Sequence, residues 1–180
     1  MTIITALSDG KSVWVGYNNA CTVGDTPIFE QHHWIYFGDW GLGLSGGGRQ
    51  KNILEWNIAK LEKHSKTPLT VVNTIRNIFQ DEGVSKTDSN SATPSFGMSG
   101  ILVNKDAGVW DVDHRLALAK IQNNKLRARG SGIDYALGAD FAALAIDPQL
   151  NHQQRVRIAT EAAISCDSYC PGEAIISQFV

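Results

Sequence analysis

The sequence predicts an α+β chain folded as a four-layer αββα sandwich, two antiparallel sheets held between helix pairs. Three observations carry that prediction. The 180 residues suffice for one domain with a sizeable core, expected to span 1–180. Strand-like and helix-like stretches come in blocks: four strands, two helices, four strands, two helices, one strand. This excludes the βαβ alternation of a parallel sheet. Each helical stretch also carries an apolar stripe that needs a sheet face to cover it, and two such sheets stack about 10 Å apart.

Residues 1–8, Met1-Thr2-Ile3-Ile4-Thr5-Ala6-Leu7-Ser8, cluster β-branched side chains as a buried strand does. Ser8-Asp9-Gly10-Lys11 turns the chain, and Ser12–Tyr17 runs back as the second strand. A domain seldom starts on a core strand, because free termini fray. One chemical reason to do so is to hold a terminal group rigidly. With Met1 removed, Thr2 offers a hydroxyl and a free α-amine on one residue, and the amine can act as base for the hydroxyl. The alternative is a strand that simply begins early. Asn18–Thr26 is polar and reads as a loop, Ile28–Phe37 as a third strand, and Trp40–Leu44 as a fourth beyond a turn at Gly38-Asp39. The bare glycines of that fourth strand invite close approach by another layer. Ser45-Gly46-Gly47-Gly48 ends it, without the GKS/T or GxGxxG that marks a phosphate cradle.

The first helix is expected over Asn52–Lys63, with Leu54, Ile58 and Leu61 on one face. The second starts at the cap Thr67 with Pro68 in first position, buries Leu69, Val72, Ile75 and Phe79, and stops at Gly83. Val84–Pro94 reads as an exposed loop. Gly97–Val103 pairs with Gly108–Val112, and Leu116–Ile121 with Lys125–Ala128 around Asn123-Asn124, giving two hairpins. Gly130-Ser131-Gly132 opens an Ala-rich helix to Ile146, Asn151 caps another to Cys166, and Glu173–Phe179 is the last strand.

An apolar content of 43% with 19% charged residues is ordinary for a globular protein. A net charge of −2 with scattered Lys and Arg gives no footprint for nucleic acid. No apolar run spans a bilayer, and the start lacks a signal-peptide pattern. Cys21, Cys166 and Cys170 show no metal-ligand spacing. The expectation is a cytoplasmic protein with reduced cysteines and no metal, cofactor, nucleic-acid or membrane partner.

The element order resembles the proteasome β-subunit family, closest to its compact bacterial, HslV-type members. Thr2-Ile3-Ile4 is similar to the family's opening, and Thr22-Val23-Gly24-Asp25-Thr26 to its TLGNT-like loop. Gly43-Leu44-Ser45-Gly46-Gly47 resembles its GxxGG turn, and Gly130-Ser131-Gly132 with Tyr135-Ala136 its GSG-xx-YA helix start. Asp167-Ser168-Tyr169-Cys170-Pro171-Gly172 resembles its D-x-Y-S-G-G segment. The resemblance implies an N-terminal-nucleophile hydrolase fold and a threonine-type endopeptidase. Thr2 would be the nucleophile, Ser131 and Asp167 would orient it, and the Gly47 N–H would face the oxyanion. It implies self-assembly into a homo-oligomeric double ring, peptide or unfolded-protein substrates, and an ATP-dependent unfoldase as partner. It also marks departures. Asn18 stands where the family has an acid, Trp34 or His33 where it has a lysine, and Cys170 where it has a serine. The sequence therefore leaves three readings: an impaired peptidase, a ring or scaffold protein without catalysis, and an N-terminal-nucleophile amidase acting on a small molecule.

Overall fold

The computed structural model describes residues 2–23, 26–29, 32–84, 94–106 and 108–179. Met1, Gly24 and Asp25 of the motifs above, and residues 85–93 of the expected loop, lie outside them. The chain runs β1 (Ile3–Ser8), β2 (Val13–Asn18), β3 (Ala20–Val23), β4 (Thr26–Phe29), β5 (Trp34–Phe37) and β6 (Trp40–Gly46). Helices α1 (Gly48–Trp56), α2 (Ile58–His64) and α3 (Pro68–Asp81) follow. Then come β7 (Met98–Asn104), β8 (Gly108–Val112), β9 (Leu118–Lys120), β10 (Arg127–Gly130), α4 (Ile133–Ile146), α5 (His152–Cys166) and β11 (Ala174–Phe179).

One antiparallel sheet has the order β10-β1-β2-β11 and the other β5-β6-β7-β8-β9. The opening strand thus lies inside its sheet, with Ile4 opposite both Tyr17 and Arg129. Alternation of side chains across each sheet gives three apolar layers between four structural ones. Leu42, Leu102 and Val112 face α1–α3 with Leu54, Ile75 and Phe79. Ile3, Leu7 and Ala128 face α4 and α5 with Ala136, Val156 and Ala159. Ile4, Val15, Tyr17, Trp34, Ile101 and Val109 fill the space between the sheets. This is the expected αββα sandwich, with three helices rather than two on one side.

Four local expectations are corrected. The region read as a loop at Asn18–Thr26 forms β3, which pairs with β4 as a separate two-stranded ribbon. The single third strand therefore divides into β4 and β5, which belong to different sheets. Pro27 lacks an N–H, and a two-stranded ribbon has room for it at an edge. The helix over Asn52–Lys63 is two helices. It breaks at Asn57, whose side-chain Nδ2 donates to the Ile53 carbonyl at 2.9 Å and competes with the backbone ladder. Leu116–Ile121 and Lys125–Ala128 do not pair with each other. β9 continues the five-stranded sheet beside β8, and β10 crosses to pair with β1. The crossing is secured by Arg127 and Arg129 of β10, each making two hydrogen bonds to Asp111 of β8 at 2.6 to 2.9 Å.

Candidate active site

β1 presents Ile3 to the helices and Ile4 to the other sheet, so Thr2, in register with Ile4, faces the inter-sheet side at the strand's start. Its carbonyl accepts from the Ser131 N–H at 3.1 Å, which continues the β1–β10 ladder by one rung. Gly130 makes this approach possible. Its φ is +124°, and a Cβ there would collide with the Thr2 carbonyl oxygen. The GSG start is thus needed for backbone approach as well as for opening the helix.

The buried Thr2 hydroxyl donates to Asn18 Oδ1 at 2.7 Å. The same oxygen accepts from Ile3 N–H at 2.9 Å. Asn18 Nδ2 donates to the carbonyls of Ala20 at 2.6 Å and Pro171 at 2.8 Å. The family resemblance pointed to Asn18 but gave no sign of the two carbonyls, because backbone acceptors carry no residue-type signature.

His33 is buried, and its Nε2 donates to that same Ala20 carbonyl at 3.1 Å. A carbonyl only accepts, so the neutral imidazole carries its proton on Nε2. Burial pushes the His33 pKa below 6.5, against the opposing pull of the Ala20 carbonyl. The ring is therefore neutral near pH 7. Trp34 instead turns into the inter-sheet layer, its indole lying against Gly43, where an added Cβ would come within 2.9 Å of the ring. Among the described residues its Nε1–H has no hydrogen-bond partner. Of the two residues considered for the lysine position, His33 joins the Asn18 network and Trp34 packs in the core.

A second cluster joins the first through Ser131. Ser131 Oγ lies 3.3 Å from Cys170 Sγ, and the Cys170 thiol donates to Asp167 Oδ2 at 3.3 Å. Burial pushes the Cys170 pKa up to about 11, so the thiol keeps its proton and serves as a neutral donor. Burial raises the Asp167 pKa, but hydrogen bonding from Ser131, Tyr169 N–H and Cys170 outweighs it, and the carboxyl ends below 3.8. Asp167 is thus a carboxylate across the neutral range, held at the end of α5. Gly47 caps α1 just beyond β6. Leu44 N–H of that strand donates to the His33 carbonyl at 2.9 Å, which ties β6 to this end of the molecule. The arrangement presents a hydroxyl, a neutral amide acceptor, a neutral imidazole and a serine–thiol–carboxylate chain.

Solved structures share this architecture. Thiobacillus denitrificans BPH matches with a TM-score of 0.78 at 19% identity, covering 100% of this chain and 99% of that one. The same protein in complex with epoxomicin also gives 0.78 and 19%, covering 100% of both chains. Eukaryotic HslV from Trypanosoma brucei gives 0.70 at 16%, with 98% of each chain covered. The fold is of the HslV and proteasome type. No family model matches the chain, and no curated protein matches it in sequence. At these identities the HslV-type likeness carries the fold, while the chemistry rests on the residues just described.

Proposed function

We propose that the chain is a proteasome-like, ring-forming protein in which Thr2 is the candidate nucleophile for peptide-bond hydrolysis, with its activation impaired. The observation that carries this reading is the Thr2 hydroxyl bonded to the neutral Asn18 amide at 2.7 Å. An amide oxygen holds the hydroxyl in place but does not take its proton. Proton removal then falls to the Thr2 α-amine, whose unperturbed pKa is near 8. Ser131 and Asp167 would orient that amine, with Cys170 completing their hydrogen-bond chain. The Gly47 N–H would face the oxyanion, where one donor is worth about 3 kcal/mol. The neutral His33 and the packed Trp34 offer no fixed positive charge to favour an alkoxide. With charge support missing, and each such support worth roughly 10²–10⁴-fold, turnover falls to a trace. No cofactor or metal enters this chemistry. Substrates would be peptides or unfolded proteins, and an ATP-dependent unfoldase would supply them.

The second reading is a ring or scaffold protein without catalysis. The neutral Asn18 amide and His33 imidazole favour it, while the outer face of α4, with Phe141 78% and Ile146 86% exposed on a helix apolar nearly all round, supports the assembly that both readings share. Such a helix normally has protein on both sides.

Two measurements test the proposal. Intact mass shows whether Met1 is removed, which the amine chemistry requires. Incubation with epoxomicin should label Thr2 slowly or not at all, with trace cleavage of short fluorogenic peptides. Stoichiometric labelling within minutes, abolished by Thr2→Ala, would show a fully activated threonine and overturn the impairment. A methionine-retaining chain that never labels would favour the scaffold.

A further inference from the structure

Asn18 is 0% exposed and spends its whole hydrogen-bonding capacity on four partners. Ile3 N–H can only donate, and the Ala20 and Pro171 carbonyls can only accept, so the amide has one possible orientation. We infer that position 18 of this site requires an amide, which makes Asn18 a positioning residue in its own right rather than a neutralised acid. A carboxylate in its place would keep the two donors on one oxygen. It would turn the other onto two carbonyl oxygens, at the 2.6 and 2.8 Å now spanned by Nδ2 hydrogens. Burial denies that charge any solvent. The Ala20 carbonyl cannot swing aside freely, because the buried His33 Nε2 also donates to it at 3.1 Å.

The network therefore joins four stretches of chain: the start of β1, the β2–β3 corner, the residue before β5, and the segment leading into β11. Asn18 bonds three of them directly, and His33 joins through the Ala20 carbonyl that it shares with the amide. Asn18 fixes the Thr2 hydroxyl by accepting its hydrogen bond, and it fixes the backbone around the site by donating to two carbonyls. The inference takes from the proposed function only the identity of the site. Its test is a stability measurement, so either can fail while the other stands.

The experiment compares thermal unfolding of the wild type and Asn18→Asp from pH 8 to pH 5. Ionisation of the introduced carboxyl is disfavoured in the folded state, so its folded pKa lies above the ordinary value of about 3.9. The penalty is then largest at high pH and shrinks as acid protonates the side chain, whose O–H can donate to one carbonyl. We expect Asn18→Asp to melt at least about 5 °C below the wild type at pH 8, with the gap narrowing toward pH 5. The titratable groups on the segments packed around position 18 are Tyr17, Cys21, His32, His33, Asp167, Cys170 and Glu173, with Lys51 and the amino terminus acting on His33. They are common to both proteins; His33, which shares the Ala20 carbonyl with position 18, also couples to the new carboxylate, and its protonation in acid narrows the gap in the same direction. Equal melting temperatures at pH 8, with no pH-dependent gap, would overturn the inference. Should the variant not fold, hydrogen exchange on wild-type protein with labelled asparagine decides. One side-chain NH₂ pair should be protected for hours, and exchange of every asparagine amide within the dead time would overturn it equally.

Discussion

At the scale of single residues, the site is defined by neutral groups in places where charge would be chemically useful. His33 is the clearest case, because burial holds its pKa below 6.5. The sign of the consequence follows from linkage. The unfolded chain binds a proton at His33 near pH 6.5, while the folded chain resists it. His33 thus leaves stability intact above pH 6.5 and lowers it as the pH falls below that value. The loss levels off once the folded-state pKa is passed. His33→Gln keeps an N–H donor for the Ala20 carbonyl without the titration. Its melting temperature should fall less than that of the wild type between pH 6.5 and 5. Parallel pH profiles for the two proteins would show that the imidazole is not held neutral by the fold.

At the scale of elements, what could be read from the sequence was what is local. The caps Thr67 and Asn151 each form a capping box, with Thr70 and Gln154 respectively. The caps themselves are signalled by residue type, whereas Thr70 as the returning partner is not, since the usual signature has Glu or Gln there. Of the expected α3 stripe, Val72, Ile75 and Phe79 are buried as the 3.6-residue period requires, whereas Leu69 in the first turn is 62% exposed. Strand partners were less legible. β9 and β10 stand next to each other in sequence with a turn between them, yet each pairs in a different sheet, and β3 pairs with a strand that looked continuous with β5. Pairing depends on which layer a strand enters, and no window of ten residues holds that information. In the candidate site, Thr2 stood out by residue type and position, and Asn18, Ser131 and Asp167 only through the family resemblance, whereas nothing in the sequence pointed to the carbonyls of Ala20 and Pro171. The α4 surface carries its own prediction. Tyr135, Phe141 and Ile146 project from one helix that also offers Ala142 and Ala145. A charge in that face should oppose self-association without disturbing the core. Phe141→Glu is expected to lower the assembly state seen by light scattering at micromolar concentration, with the far-UV spectrum unchanged. A variant as large as the wild type would remove α4 from the assembly surface.

At the scale of the whole molecule, the two sheets are joined by apolar packing and, among the described residues, by an ionic clamp. Arg127 and Arg129 share Asp111 across the layers, with both guanidinium groups doubly bonded to one carboxylate. Asp111→Ala would leave two partly buried positive charges facing each other. Their partial exposure tempers the cost, and a loss of about 2–3 kcal/mol is expected in denaturant unfolding. A loss under about 0.5 kcal/mol would mean that the apolar layer alone holds the sheets. Topology has a further effect, in the order in which the parts are made. The strand that carries Thr2 pairs with β2 at once, but its other neighbour, β10, arrives more than a hundred residues later. Thr2 finds its carbonyl partner only when Ser131 exists, and the Asn18 amide gains its last acceptor only when Pro171 does. A chain still emerging from the ribosome therefore holds its threonine in an unfinished pocket. The hydroxyl meets Asn18 early, but the backbone that frames both is completed only by Ser131 and Pro171, so the pocket reaches its final geometry late in synthesis.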